Sequence, residues 1–316
     1  MDQVRRQAGR PDVPDLAPIV LFVYNRPEHT RRTLAALAAN PLAIDSDLII
    51  HADGPKKLEH ASSVEDTRVV VRGATGFKSV SLLERDENFG LARSIIAGVT
   101  EACEARGRAI VLEDDIVIVP EFLSYMNRAL DRYASEERVM QISGYMFPIS
   151  YPGELPETFF SRLPTSWGWS TWRRAWNSFE PDANSLLDRL KSSDVASFDL
   201  DGQYPYSQML KDQSLGVLDV WGVRWYASMF LQGGLCLYPS HSLVSNIGMD
   251  GSGEHCGRSD AYDVALAEKA PTEFPVEVRA SQIGERKIRE FFKAQRGSFL
   301  KRLSVGLKQS LAKLVQ

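Results

Sequence analysis

Residues Arg108 to Leu123, RAIVLEDDIVIVPEFL, place three consecutive carboxylates, Glu113, Asp114 and Asp115, between two runs of β-branched apolar side chains. The Val and Ile runs have the composition of a strand buried on both faces, as in a parallel sheet. Uncompensated buried charge is expensive. The acids therefore either emerge at a solvated turn or hold something positively charged. An Asp-X-Asp-like triplet leaving a buried strand suits a divalent cation bound together with a diphosphate, because Mg²⁺ and Mn²⁺ take oxygen ligands from one or two carboxylates, phosphates and water.

Upstream of that stretch, strand and helix alternate. APIVLFVYNRP is a strand stopped by Asn25-Arg26-Pro27, and EHTRRTLAALAAN is a helix. DLIIHADGPKK is a strand with a turn at Asp53-Gly54-Pro55, SVEDTRVVVRGATG a helix and KSVSLLERDEN a strand. FGLARSIIAGVTEACEAR is a helix with Leu91, Ile95, Val99 and Ala102 on its apolar face. RAIVLEDD follows as a strand, and PEFLSYMNRALDRYASEE as a helix with Pro120 in its first turn. The alternation predicts an α/β fold with a mostly parallel sheet flanked by helices. Ligands bind beyond the carboxyl ends of such strands. Asn25, Arg26, Asp53, Asn88 and the acidic triplet all fall there, and this shared location makes them donor-site candidates.

Composition excludes several classes. The 316 residues carry a formal net charge of −4, with no global field favouring nucleic acid. Residues 279–316 hold ten Lys/Arg against two Glu, about +8, leaving about −12 elsewhere. Cys103, Cys236 and Cys256 lack any CxxC spacing, which fits a reducing cytoplasm rather than a disulfide framework or zinc cluster. The start has no apolar secretory region, and no run approaches the ~20 apolar residues of a membrane span. A cytoplasmic protein is expected.

After about residue 138 the rhythm changes. RVMQISGYMF is a strand and SWGWSTWRRAW holds four tryptophans. VWGVRWYASMFL is a helix, GGLCLYPSHSLVSN a strand and turn, and IGMDGSGEHCGRSD a Gly-rich loop. Trp172 and Trp176 are expected in the core, with Trp167 or Trp169 facing a substrate. Arg26 and Arg93 are candidates for diphosphate binding, since a guanidinium pairs with phosphate by fork geometry, and His255 for a further metal or phosphate contact. The organisation read is a flexible arm (1–16), a nucleotide-sugar-binding half (17–137), an irregular acceptor half (138–278) and a basic amphipathic helical tail (279–316). Phe299, Leu303, Leu307, Leu311 and Leu314 share one face of that tail, with Lys301, Arg302, Lys308 and Lys313 mainly off it.

VLFVYNRPEHT, HADGPK, NFGLARSII, IVLEDDIVIVPEFLSYMN, WGWSTWRRAW and SLVSNIGMDGSGEHC resemble the bacterial GT-A-fold glycosyltransferases of surface-polysaccharide loci. The similarity extends more distantly to the N-acetylglucosaminyltransferase I family and covers about residues 17–258. It implies that Asp53 contacts the nucleotide base, that Asp115 ligates Mn²⁺ or Mg²⁺, and that Glu113 and Asp114 touch ribose and sugar. It also implies that Gly168-Trp169 shapes the sugar pocket. Inverting members place a catalytic Asp just after a Trp at the start of the helix here reading LDVWGVRW. Gly222 and Val223 occupy that position, so Asp219, Asp250 and Glu254 become the candidate bases.

The expectation is a metal-dependent, inverting transferase moving a sugar from a nucleotide diphosphate-sugar, UDP-linked, onto a glycan hydroxyl. Two rivals stand beside it. A sugar nucleotidyltransferase would want a Gly-rich loop after the first strand, where YNRPEHT stands. A non-catalytic nucleotide-sugar or glycan binder would need no base. For the tail, contact with anionic lipid on the inner membrane face, suiting a lipid-linked acceptor, stands beside packing on the domain or dimerisation.

Overall fold

The computed structural model describes residues 15–149, 153–190, 195–251 and 259–296. β1 (Ile19–Val23), β2 (Asp47–Ala52), β3 (Ser79–Glu84) and β4 (Arg108–Glu113) alternate with the helices α1 (Pro27–Ala38), α2 (Ala61–Arg72) and α3 (Leu91–Arg106). Every residue of β1 is buried, as are Ala109 to Leu112 of β4, so the composition of these strands reflects burial on both faces. Pro27 starts α1, where its missing N–H goes unneeded. Ile95, Val99 and Ala102 of α3 are buried as expected, whereas Leu91 is 40% exposed and borders a cavity instead.

Short β5 (Ile116–Ile118), α4 (Phe122–Arg132), β6 (Val139–Ser143), β7 (Thr158–Ser161) and β8 (Trp169–Trp172) follow. Then come α5 (Arg173–Trp176), α6 (Ala183–Leu190), α7 (Val195–Phe198), α8 (Tyr206–Ser214), α9 (Trp221–Leu231), β9 (Leu235–Pro239) and β10 (Val244–Asn246). Eight strands form one sheet in the order β3-β2-β1-β4-β8-β6-β9-β7. β3, β2, β1 and β4 are mutually parallel, as are β6 and β9, while β8 runs antiparallel to both β4 and β6, and β7 to β9. This large, mostly parallel sheet flanked by helices is the α/β, GT-A-like architecture expected above. Strand order reverses between β1 and β4, and such switch points open a crevice at the carboxyl ends.

β5 and β10 form a separate antiparallel pair, Ile116 opposite Asn246 and Ile118 opposite Val244. That pairing draws residues 246–249 over the acidic triplet, and Ile247 N–H donates to the Asp115 carbonyl at 2.9 Å.

Residues 282–296 form a helix, here α10, that buries Ile288, Phe291 and Phe292. Phe291 and Phe292 each lie 5.2 Å from Phe147, and Phe292 lies 5.0 Å from Tyr204. A Cβ at Gly284 would sit 2.3 Å from the Phe159 ring, so the helix is seated tightly. This segment packs into the same core as Phe147, Phe159 and Tyr204. Residues 297–316, with the apolar face expected there, and the arm's first fourteen residues lie outside the described residues. Among those described, no helix is long and apolar enough to cross a membrane.

Candidate active site

At the switch point, the end of β4 delivers the three acids. Arg26, at the start of α1, donates through Nη2 to Asp114 Oδ1 at 2.5 Å and to Asp115 Oδ2 at 2.8 Å. The Tyr24 N–H donates to Asp114 Oδ2 at 3.3 Å. Desolvation works against the guanidinium, but the two carboxylates outweigh it and hold Arg26 protonated above its ordinary range. One cation against three acids leaves negative charge over. Desolvation and the Asp115 and Asp114 carboxylates push Glu113 up to about 8. Asp114 is likewise raised by desolvation, with Arg26 opposing.

Asp115 Oδ1 is enclosed and, among the described residues, has no hydrogen-bond partner. Buried carboxylate oxygens are normally satisfied, and an orphan asks for a cation. The approach is close on the other side as well. A Cβ at Gly248 would lie 2.0 Å from Asp115 Oδ2 and 2.6 Å from Arg26 Nη1, so any side chain there would displace the Asp115 carboxylate and the Arg26 guanidinium. Among the described residues no three His, Cys, Asp or Glu converge as a cage. The donor set therefore fits a hard divalent ion that keeps most of its coordination for phosphate and water, as Mg²⁺ and Mn²⁺ do.

A cavity of about 340 Å³ opens in front of the triplet, lined by Asn25, Arg26, Asp53, Asn88, Glu113, Asp114 and Asp219 of the expected residues. Six expected donor residues and one candidate base thus meet in one crevice. Asp53 does something the sequence did not suggest. Its Oδ1 accepts from the N–H groups of Gly54 (3.0 Å) and Phe89 (2.8 Å), and its Oδ2 from Asn88 Nδ2 (3.0 Å) and Gly90 N–H (2.9 Å). Asn88 also donates to the Gly54 carbonyl at 2.8 Å. Asp53 and Asn88 therefore lock the 88–90 loop onto the end of β2. A Cβ at Gly54 would lie 2.5 Å from the Glu87 carbonyl carbon, so the turn admits only glycine.

Other expectations land elsewhere. Arg93 is exposed, stacks over the Phe89 ring at 3.9 Å and is not part of the cavity wall. Trp169, expected to shape the sugar pocket, is 0% exposed and stacks on Trp221 at 5.1 Å, so it is core. Trp172 and Trp176 are buried as read, their indole N–H groups donating to Leu130 O and Thr100 Oγ1. Asp219 is 69% exposed and pairs with Arg224 at 3.1 Å. Asp250 faces His29 at 3.3 Å, away from this cavity. Glu254 and His255 lie outside the described residues.

Sequence reading missed Tyr24, Lys56, His51 and Ser94, which also line the cavity. The Tyr24 hydroxyl, 2.7 Å from His60 Nδ1, accepts from the Lys56 N–H at 3.0 Å and so ties the DGPK turn to β1. His51 stacks on Phe22 at 5.1 Å, and burial, with Arg85 adding to it, brings its pKa down to about 4, leaving a neutral imidazole. The strand position of His51 and the polar residue in DGPK were the available signals.

No family model matches the chain, and no curated protein is similar to it in sequence. Among solved structures it is similar to TarS from S. aureus at 14% identity and TM-score 0.29, over 45% of this chain and 24% of that one. It is similar to the mannosyltransferase PcManGT from Pyrobaculum calidifontis, in complex with GDP-Man and Mn²⁺, at 13% identity and TM-score 0.31, over 56% and 49%. It is also similar to glucosyl-3-phosphoglycerate synthase from Mycobacterium tuberculosis, in complex with Mn²⁺, UDP and glucosyl-3-phosphoglycerate, at 12% identity and TM-score 0.34, over 55% and 66%. The chain thus spans from a quarter to just under two thirds of those chains' lengths.

Proposed function

We propose that this chain is a metal-dependent glycosyltransferase whose donor, a nucleotide diphosphate-sugar, lies in the cavity between β1, β2 and β4. The observation that carries the reading is the enclosed Asp115 Oδ1, without a hydrogen-bond partner among the described residues, beside Arg26, Glu113 and Asp114 at the topological switch point. Asp115 would hold Mn²⁺ or Mg²⁺. When bound, that ion supplies charge neutralisation for a departing diphosphate.

The remaining chemistry belongs to the chain's own residues. Among the described lining residues, Arg26 supplies a guanidinium and Lys56 an ammonium, and both offer donors to a diphosphate. Tyr24 to Arg26 and the loop clamped by Asp53 form the walls, with neutral His51 and Ser94 deeper in. Asp219, exposed at the rim, accepts the proton of an acceptor hydroxyl. The hydroxyl oxygen bonds to the anomeric carbon as the carbon–oxygen bond to the diphosphate breaks. That single displacement inverts the anomeric centre. The UDP-linked donor and the glycan acceptor of bacterial surface polysaccharide rest on the sequence resemblance, and the lipid linkage on the basic amphipathic pattern of the tail.

Calorimetric titration with UDP, GDP, CMP and dTDP, with and without Mn²⁺, tests the reading on wild type and Asp115→Asn. One diphosphate binding tightly only with the metal, and lost in the variant, is expected. Binding indifferent to both metal and Asp115 would reduce the triplet to an ion-paired turn and end the proposal.

A further inference from the structure

A second cavity, about 320 Å³, is lined in part by two chain segments that run on from residues at the donor site. Val220 to Val223 line it, while Asp219, the residue before them, lines the donor cavity. Met249 also lines it, while Gly248, the residue before, backs onto the Asp115 carboxylate. A molecule seated here would stand one residue from the rim base on one side and one residue from the acidic triplet on the other.

We propose that this cavity is the acceptor subsite and that it accepts an uncharged pyranoside; the inference rests on the donor reading above. Its wall is aromatic. Half-buried Trp167 meets Tyr145 edge-on at 4.6 Å and Tyr262 at 5.7 Å, and half-buried Tyr204 and Tyr206 stand 4.5 Å apart. Among the described residues lining it, none is Asp, Glu, Lys or Arg. A charged acceptor would be desolvated here with no countercharge, which costs far more than burying neutral hydroxyls. A pyranose instead offers apolar C–H faces to rings and hydroxyls at its edge. Small-molecule sites combine an apolar, aromatic wall with a few placed polar groups in this way. The Ser166 and Tyr206 side-chain hydroxyls, both on residues lining the cavity, supply such groups. The floor is open at Gly222, where an added Cβ would meet no described residue within 4 Å.

The same openness provides a test that spares the fold. Gly222→Leu projects a side chain into empty space on a helix that favours Leu over Gly, and Trp167→Leu removes the central ring. Saturation-transfer NMR on the full chain would use methyl glycosides of glucose, galactose, mannose, rhamnose and N-acetylglucosamine, with 3-phosphoglycerate as the charged comparator. At least one glycoside is expected to bind wild type and to weaken tenfold or more in both variants, with metal-dependent diphosphate binding kept. A wild type that binds diphosphate but no glycoside overturns the inference, as does glycoside binding untouched by both variants or a preference for 3-phosphoglycerate. Loss of diphosphate binding in wild type itself would overturn the donor reading and this one together.

Discussion

Replacing Asp53 by Asn separates two roles for one residue. As a ligand contact, Asp53 would matter to nucleotide binding and little to stability. As the clamp seen here, it matters to stability first. The aspartate accepts four hydrogen bonds, two on each oxygen, and is 6% exposed. An Asn in the same place keeps one accepting oxygen and turns an NH₂ toward two donors, Asn88 Nδ2 and the Gly90 N–H. Hydrogen bonds to a charged group contribute roughly 1.5–3 kcal/mol, and a buried donor left unpaired costs about 1–3 kcal/mol. Rotation of the half-buried Asn88 amide offsets part of this, so the expected loss is about 3 kcal/mol. At ~2 °C per kcal/mol for a large domain, Tm should fall by roughly 6 °C. Equilibrium urea unfolding followed by tryptophan fluorescence measures the first quantity and calorimetry the second. Metal-dependent diphosphate binding should weaken only modestly, through the loosened 88–90 loop. If stability holds within about 0.5 kcal/mol while nucleotide binding disappears, the clamp reading is refuted and Asp53 is a ligand contact.

Gly54→Ala, whose Cβ would collide with the Glu87 backbone, should cost about 1–3 kcal/mol by overpacking, read as a lower urea midpoint. Phe292→Ala should lose about 3–5 kcal/mol if α10 is core, whereas a free tail would show no change in the same assay. His51 is neutral because burial depresses its pKa to about 4 against an ordinary 6.5. Its contribution to stability is therefore complete above about pH 6.5 and lost as pH falls through that window toward 4. Roughly 3 kcal/mol of pH dependence follows, and His51→Gln should flatten that part of a Tm-versus-pH curve.

The strand–helix rhythm and the gathering of Asn25, Asp53, Asn88 and Glu113 at strand ends were legible because both depend on local composition and crossover length. The role of Asp53 was not, since it depends on the backbone of residues 88–90, which only the fold brings near. Trp169 sits in a four-residue strand buried on both faces, where alternation carries no signal of inside and outside. Arg93 looked like a phosphate ligand by its place in the first turn of α3, but Phe89, four residues earlier, offers its ring and takes it. The docking of α10 stayed hidden because Phe291 and Phe292 lie in a strongly charged segment whose partners, Phe147 and Tyr204, are distant in sequence. The three-residue strands β5 and β10 are too short to announce themselves, although their pairing brings Gly248 onto Asp115.

The antiparallel strand β8 stitches β4 to β6 across what reads in sequence as a boundary between halves. During synthesis, residues 108–111 leave the ribosome well before their partners at 169–172 exist. At about 5–20 residues per second the nascent chain carries an unpaired apolar strand edge for several seconds. Residues 17–137 by themselves thus leave one edge of β4 without its strand partner, and that edge stays open until Trp172 is made.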